Sequence, residues 1–268
     1  MSKLDYGTML SQTPIYLRIG TLRKPTLRDI AEIGFDRFGY YEFIIKINPE
    51  SFYSSMKGDE GIKYWKSLKE EERNALTTYD VILKERVLRE AFLEVFNFFF
   101  VQDVVFESGY FVVLKNEGHK LNDDRDESLT LNDIYGAIAS ENFEQVLEII
   151  QQICCIYEQE EEDDSMFKNA LAKKLYEKIQ KAKKQKKNEK KSDINLFLPN
   201  IISSVSNKHP TISPLTVWDL TIFQLIDAFN RTQANQMYEI DSTRVSVWGD
   251  EKKTFDAALW YKNEYDKK

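Results

Sequence analysis

The sequence predicts a mainly α-helical fold with a minor β component and an α-helical C-terminal domain. Glycine and proline are scarce, with ten and six among 268 residues, and a chain with so few turn-forming residues favours long helices. Several long segments repeat apolar residues at helical spacing. Only the N-terminal segment and a hairpin near residues 104–114 show the alternation and β-branched runs typical of strands.

The first elements are a short strand and a capped helix. Ile15, Leu17 and Ile19 alternate with other residues, which predicts a strand. Thr26 precedes "LRDIAEIG", so we expect it to cap a helix, with Asp29 completing a capping box and Gly34 ending the helix.

The middle of the chain continues with helices and the hairpin. Helical patterns run through "EGIKYWKSL" and "KEEERNALTTYDVILKERVLREAFLEVFNFFF", the second with one broad apolar face. "DVVFESGYFVVLKNEG" predicts a hairpin that turns at Ser108 and Gly109. After a polar loop, Thr130 is expected to cap one or two helices over "LNDIYGAIASENFEQVLEIIQQICCIY".

A switch of charge divides the chain. An acidic block at 158–165 is followed by a basic run at 173–192. The first part of this segment repeats an apolar residue every fourth position, whereas its second part has no apolar face. We predict an N-terminal α+β domain over 1–157, a charged linker or projecting helical arm over 158–192, and a C-terminal helical domain over 193–268.

Composition narrows the classes of partner. The formal net charge of −7 argues against a general attraction to nucleic acid. The lysine-rich run also lacks the interleaved aromatic residues of single-strand binders. No apolar run is long enough to predict a membrane span, and the N-terminus lacks a signal-peptide core. Cys154 and Cys155 are adjacent, a spacing that fits neither a structural disulfide nor a metal site. Two cysteines without a predicted disulfide are typical of a protein in the reducing cytoplasm, and we predict that location.

Candidate chemical sites are few. The loop 122–133 resembles a calcium-binding loop, but Glu127 occupies the place of the turn glycine and Asp133 that of the bidentate glutamate. His119 and His209 stand apart from any nucleophile motif, and no phosphate-binding or dinucleotide-binding glycine pattern is present. The sequence therefore predicts no catalytic residue, no cofactor and no metal ion.

One apolar helix raises the question of a partner. In "TVWDLTIFQLIDAFN", which Thr216 is expected to open, one stripe is formed by Trp218, Ile222, Leu225, Ile226 and Phe229. Leu220 and Phe223 lie off this stripe and widen the apolar surface. Such a helix is either core or partly given to another protein. We predict that the stripe packs in the core and that Phe223 is available to a partner. The predicted partner-binding residues are Phe223 and Leu220, with Phe98, Phe99 and Phe100 from the aromatic segment 92–106.

Two stretches carry a resemblance to a known family. The N-terminal "IYLRIGTLRKPTLRDIAEIG" and the C-terminal "ISPLTVWDLTIFQLIDAFNR", with "VSVWGD" and "DAALWYKN", resemble tail assembly chaperones of long-tailed bacteriophages of Gram-positive hosts. The charged segment 158–192 departs from the compact pattern of that family.

The resemblance implies a role without catalysis. Such a protein would act in the host cytoplasm, coat the tape measure protein through apolar helical surfaces and help to recruit tail tube protein. Self-association is a further option. The alternative is a structural virion component, such as a tail or neck adaptor.

Overall fold

Helices dominate the part of the chain that the structure describes. The computed structural model describes residues 3–117, 132–156, 197–251, 253–263 and 265. The helices α1 to α11 are Tyr6–Leu10, Leu27–Ile33, Phe35–Ile45, Pro49–Ser51, Gly58–Ser67, Glu70–Ala75, Thr78–Lys84, Arg86–Phe99, Phe143–Ile153, Leu198–Lys208 and Ile222–Trp248. A π-helical turn spans Phe52–Met56, and 3₁₀ turns span Val217–Asp219 and Leu259–Tyr261. The mainly α fold class is confirmed.

The strands form two small antiparallel sheets. Their bounds are Ile15–Leu17 (β1), Gly20–Leu22 (β2), Gln102–Glu107 (β3), Tyr110–Glu117 (β4) and Ile134–Ile138 (β5). β1 pairs with β2, and β4 lies between β3 and β5. β2 also pairs with the residues that follow α8. The Val101 amide donates to the Thr21 carbonyl at 2.9 Å.

Local sequence signals place several of these elements. Thr26 and Asp29 form the expected capping box at the start of α2, and the helix ends before Gly34. The β3–β4 hairpin turns at Ser108 and Gly109, whose φ angles are 52° and 87°. Two positive φ angles are what a two-residue hairpin of the I′ type requires.

The helix α8 lies at the centre of the core. Its buried face contacts α3, α7 and β3, and its aromatic rings continue into the sheet and into α9. The ring centroids of Phe96 and Phe111 are 4.9 Å apart, and those of Phe92 and Phe143 are 5.2 Å apart. Edge-to-face pairs of this kind add about 0.5–1.5 kcal/mol to the free energy gained from burial.

The structure divides one predicted helical segment into several helices and contradicts the helix predicted at the start of another. The segment from Glu70 onward is three helices, because Thr77 caps α7 with a capping box of its own and Glu85 has an extended backbone before α8. The segment after residue 131 begins with β5, not with a helix. Gly136 in β5 lies so close to β1–β2 that an added Cβ would be 2.5 Å from the Ile19 Cα. Pairing with β4 and this close approach together outweigh local helix propensity.

The C-terminal helices pack onto the N-terminal part of the chain. The Leu27 amide donates to the Leu220 carbonyl at 2.8 Å, and Thr26 and Thr221 form an isolated β-bridge. Val205, Val217 and Leu225 belong to the same cluster of buried residues as the N-terminal core. The charged segment 158–192 and the proposed boundaries at 157/158 and 192/193 lie outside the described residues, so the division into domains stays a prediction. Thr130, His119 and the loop 122–133, except its last two residues, also lie outside.

The buried Tyr79 hydroxyl ties α7 to the sheet. It donates to the Gly109 carbonyl at 2.8 Å and lies 3.0 Å from the Ile138 carbonyl. Burial raises the pKa of Tyr79 to about 12. The folded state therefore holds this proton more tightly than the unfolded chain, in which tyrosine ionises near pH 10.

Tyr79→Phe is expected to lower the free energy of unfolding by about 1–3 kcal/mol at pH 7, because the variant loses the one hydroxyl proton that the Gly109 and Ile138 carbonyls have nearby. Since the pKa of Tyr79 is raised, the wild-type protein should also lose stability between about pH 10 and 12. Urea unfolding of both proteins over pH 7–11 tests this. The variant should show a smaller alkaline loss, and equal losses in the two proteins would contradict the role given to Tyr79.

Candidate interaction cleft

The structure places the five predicted partner-binding residues in two separate parts of the core. Phe98, Phe99 and Phe100 are at most 5% exposed at the end of α8. Leu220 is half-buried against the core just before α11, and Phe223 is 6% exposed in its first turn. The expected exposure of Phe223 is therefore wrong, while a role of these residues in partner binding stays a prediction that no finding tests.

Segments from both ends of the described chain cover Phe223. Its ring centroid lies 6.0 Å from that of Tyr6 and 5.3 Å from that of Tyr265, both in edge-to-face geometry. The Tyr265 hydroxyl donates to the Leu4 carbonyl at 2.7 Å, and the Lys3 ammonium lies over the Tyr265 ring. A contact between residues so far apart in sequence has no signature in the pattern of the helix itself.

The start of α11 also differs from the sequence-based prediction. The helix begins after Thr221, whose side chain forms a capping box with Gln224. Thr216 precedes only the 3₁₀ turn Val217–Asp219. The extended backbone at Leu220 interrupts the helical spacing, because its carbonyl bonds to the N-terminus of α2. Trp218 therefore belongs to the turn and Leu220 to the extended link that follows it, while Ile222, Leu225 and Ile226 continue the helical stripe.

A cleft of about 220 Å³ lies beside Phe223. The first half of α11 forms part of its lining, and the C-terminal segment that begins with the 3₁₀ turn Leu259–Tyr261 forms another part, together with Lys3 and Cys155. Its lining is Lys3, Cys155, Phe223, Ile226, Asp227, Asn230, Arg231, Ala234, Leu259, Trp260, Lys262 and Tyr265. We call this feature the C-terminal cleft. Trp260 is half exposed at 51%, so a large aromatic ring stands at the mouth of an apolar depression.

Three polar side chains form a hydrogen-bonded group beside the C-terminal cleft. The Tyr6 hydroxyl donates to Asp227 Oδ1 at 2.9 Å and accepts from Arg231 Nη2 at 2.7 Å. Arg231 Nε donates to Asp227 Oδ2 at 2.9 Å. Burial raises the pKa of the Tyr6 hydroxyl above its ordinary value. The three groups fix the N-terminal helix α1 against α11 and leave an ion pair at the edge of the cleft.

This arrangement is suited to holding an apolar side chain. Aromatic and aliphatic side chains form much of its lining, and the charged Asp227 and Arg231 are already paired with each other. Cys154, next to the lining residue Cys155, is buried, and burial raises the pKa of its thiol well above the ordinary value. A thiol with a raised pKa is a poor nucleophile, and Cys154 packs as a small buried hydrophobe.

Within the described ranges, no group of three or more histidine, cysteine, aspartate or glutamate side chains could hold a metal ion. No helix in the same ranges combines the length and apolar character needed to cross a membrane. His209 lies just after α10, where its Nδ1 is 3.3 Å from the amide nitrogens of Thr211 and Ile212. This is the geometry of a residue that organises a turn.

Sequence reasoning missed the cleft wall formed by Leu259 and Trp260. The available signal was the aromatic and aliphatic run "ALWY" close to the end of an otherwise polar segment. That run did not reveal that the segment folds back along α11, where the Phe255 ring centroid lies 5.6 Å from that of Tyr238.

Comparison with known proteins gives one match. Residues 183–265 match the family model described as YomV second domain, a phage-derived family. The match covers a minority of the chain, but it includes α10, α11 and every residue that lines the cleft except Lys3 and Cys155. The search of curated proteins and the search of solved structures gave no match.

Proposed function

We propose that the protein is a phage tail assembly chaperone without enzymatic activity that binds the tape measure protein and promotes tail tube assembly in the host cytoplasm. The observation that carries the proposal is the C-terminal cleft, a partly open apolar site lined mostly by the region that matches a phage-derived family. The resemblance of both chain ends to tail assembly chaperones supports the choice of partner.

The chemistry of the cleft fits one apolar side chain presented by a helix. A tape measure protein is a long helical chain, and its apolar stripes would aggregate if they were left exposed during assembly. Helix recognition commonly works through a few large side chains that enter apolar grooves. Trp260 is placed to close over such a side chain, and tryptophan is enriched among residues that dominate binding energy.

The proposal is tested by co-purification with the tape measure protein encoded in the same genome. Trp260→Ala removes one wall of the cleft, and Ala234→Phe fills it from the helix side. Each is expected to weaken binding at least about tenfold, a loss of about 1.4 kcal/mol. Tyr261→Ala is the matched control, because Tyr261 is adjacent and 60% exposed but does not line the cleft.

Thermal melting of each variant separates loss of binding from loss of fold. Full binding by both folded cleft variants would overturn the placement of the site. A protein that fails to bind any tape measure protein but is found in purified phage particles would overturn the chaperone proposal in favour of a structural virion component.

A further inference from the structure

The outer half of α11, beyond the residues that line the C-terminal cleft, carries an exposed apolar stripe. Met237, Ile240, Val247 and Trp248 are 52%, 62%, 65% and 82% exposed. We call these four residues the outer stripe. Large apolar side chains are common on protein surfaces singly, whereas a continuous row of them marks an interaction surface.

The stripe is not the side on which the chain's own C-terminal segment packs. Tyr238 contacts Phe255 from that segment. Tyr238 points about 100° away from Met237 around the helix axis. Among the described residues, the segment after α11 therefore covers one side of the helix and leaves the outer stripe exposed.

Three residues of the outer stripe, together with Arg244, have the spacing of a coiled-coil seam. Met237, Ile240, residue 244 and Val247 are separated by three, four and three positions, the a and d positions of a heptad. The helix that carries them is continuous over 27 residues, about 40 Å. Its first turn is held in the core by the buried Ile222, Phe223 and Leu225. The seam lies on the part of the same helix that extends beyond this buried turn.

Arg244 occupies the one polar position of this seam. Its charge indicates which kind of helix could pack against the seam. Its guanidinium forms an ion pair with Asp241 at 3.2 Å, and both side chains are partly exposed. In a parallel pair of identical helices, the two Arg244 charges would face each other. In an antiparallel pair, Ile240 faces Arg244 of the other copy, Met237 faces Val247, and each Arg244 lies next to Asp241 across the seam.

We propose that the outer stripe pairs with the same stripe of a second copy of this chain, as an antiparallel two-fold dimer. A two-fold interface must be complementary to itself, and the stripe meets this condition where Met237 faces Val247 and where Arg244 of one copy lies next to Asp241 of the other. The seam covers about two heptads, so the buried area falls at the low end of specific interfaces, below roughly 1,200 Å². The dimer is therefore reversible and depends on concentration.

Sedimentation velocity of the full-length protein over a hundredfold range of concentration tests the proposal. The mass is expected to rise from the 31.5 kDa of one chain to twice that value. Ile240→Glu should raise the dissociation constant at least about tenfold. Ser246→Glu adds the same charge to an exposed position on the opposite side of α11 and should leave the association unchanged.

Charge variants test whether the partner is a second copy. Asp241→Arg and Arg244→Asp should each weaken self-association, because each leaves only one sign of charge at these positions. An equimolar mixture of the two variants should associate again, as a heterodimer. For orientation, Met237→Cys and Val247→Cys are expected to form a mixed disulfide in the mixture and little disulfide alone.

A chain that stays monomeric throughout, or that dimerises equally well as Ile240→Glu, would overturn the proposal. Melting that drops sharply for monomeric Ile240→Glu would overturn it as well, because residues of the same chain would then cover the stripe. Efficient cross-linking of Met237→Cys alone would overturn the antiparallel arrangement. None of these results depends on whether the C-terminal cleft binds tape measure protein.

Discussion

Phe223→Asp is expected to lower the free energy of unfolding by at least about 3 kcal/mol. The substitution removes a buried phenylalanine, which alone costs about 3–5 kcal/mol, and places a carboxylate between Tyr6 and Tyr265. The new charge would also lie one helical turn before Asp227, and like charges at this spacing repel each other. Urea unfolding monitored by circular dichroism measures the loss.

Thr243→Asp is the matched control, since Thr243 is an exposed residue of the same helix. It should change the stability by no more than about 0.5 kcal/mol. If Phe223→Asp instead unfolds at the same urea concentration as wild type, Tyr6 and Tyr265 do not cover Phe223 in solution. The face of α11 would then be open to a partner, as the sequence pattern alone predicts.

Leu225→Ala is expected to cost about 2–5 kcal/mol, the usual range for a fully buried leucine. Leu225 is 0% exposed and belongs to a cluster that also contains buried residues of α2, α3 and α8. The loss should therefore reach the N-terminal helices as well as α11. Native-state hydrogen exchange should show reduced protection in α8 and α11 by similar amounts.

Ile240→Ala provides the comparison, because Ile240 is 62% exposed. At a concentration at which the chain is monomeric, it should change stability by less than about 0.5 kcal/mol. Loss of protection confined to residues 197–265 in Leu225→Ala would contradict the shared core. It would instead support two separately folding units joined by the charged segment.

Sequence pattern was most informative where the signal is local. The capping box at Thr26 needs only residues three positions apart, and the hairpin turn at Ser108 and Gly109 needs only their backbone freedom. It failed at β5, where pairing with β4 and the close approach of Ile19 to Gly136 select a strand. Neither contact can be inferred from the residues of β5 themselves.

The same limit explains the candidate site. Helical spacing separated Phe223 from the stripe that contains Leu225, but spacing reports only direction around an axis. It does not report that Tyr6 and Tyr265, which are 259 positions apart in the sequence, meet over Phe223. It likewise could not show that Leu259 and Trp260 form the far wall of a cleft, because that wall exists only once the segment folds back.

Local sequence pattern was enough to establish that this chain is mainly helical and where its principal hairpin turns, because hydrogen bonding within a turn of helix or a two-residue loop depends on neighbours in the chain. Which apolar faces are core and which are surface depends on the packing of distant elements. The tertiary structure buries Phe98, Phe99, Phe100 and Phe223 and exposes Met237, Ile240, Val247 and Trp248. The physical reason is that burial is a property of what packs against a side chain, and the elements that pack against these residues come from distant parts of the chain.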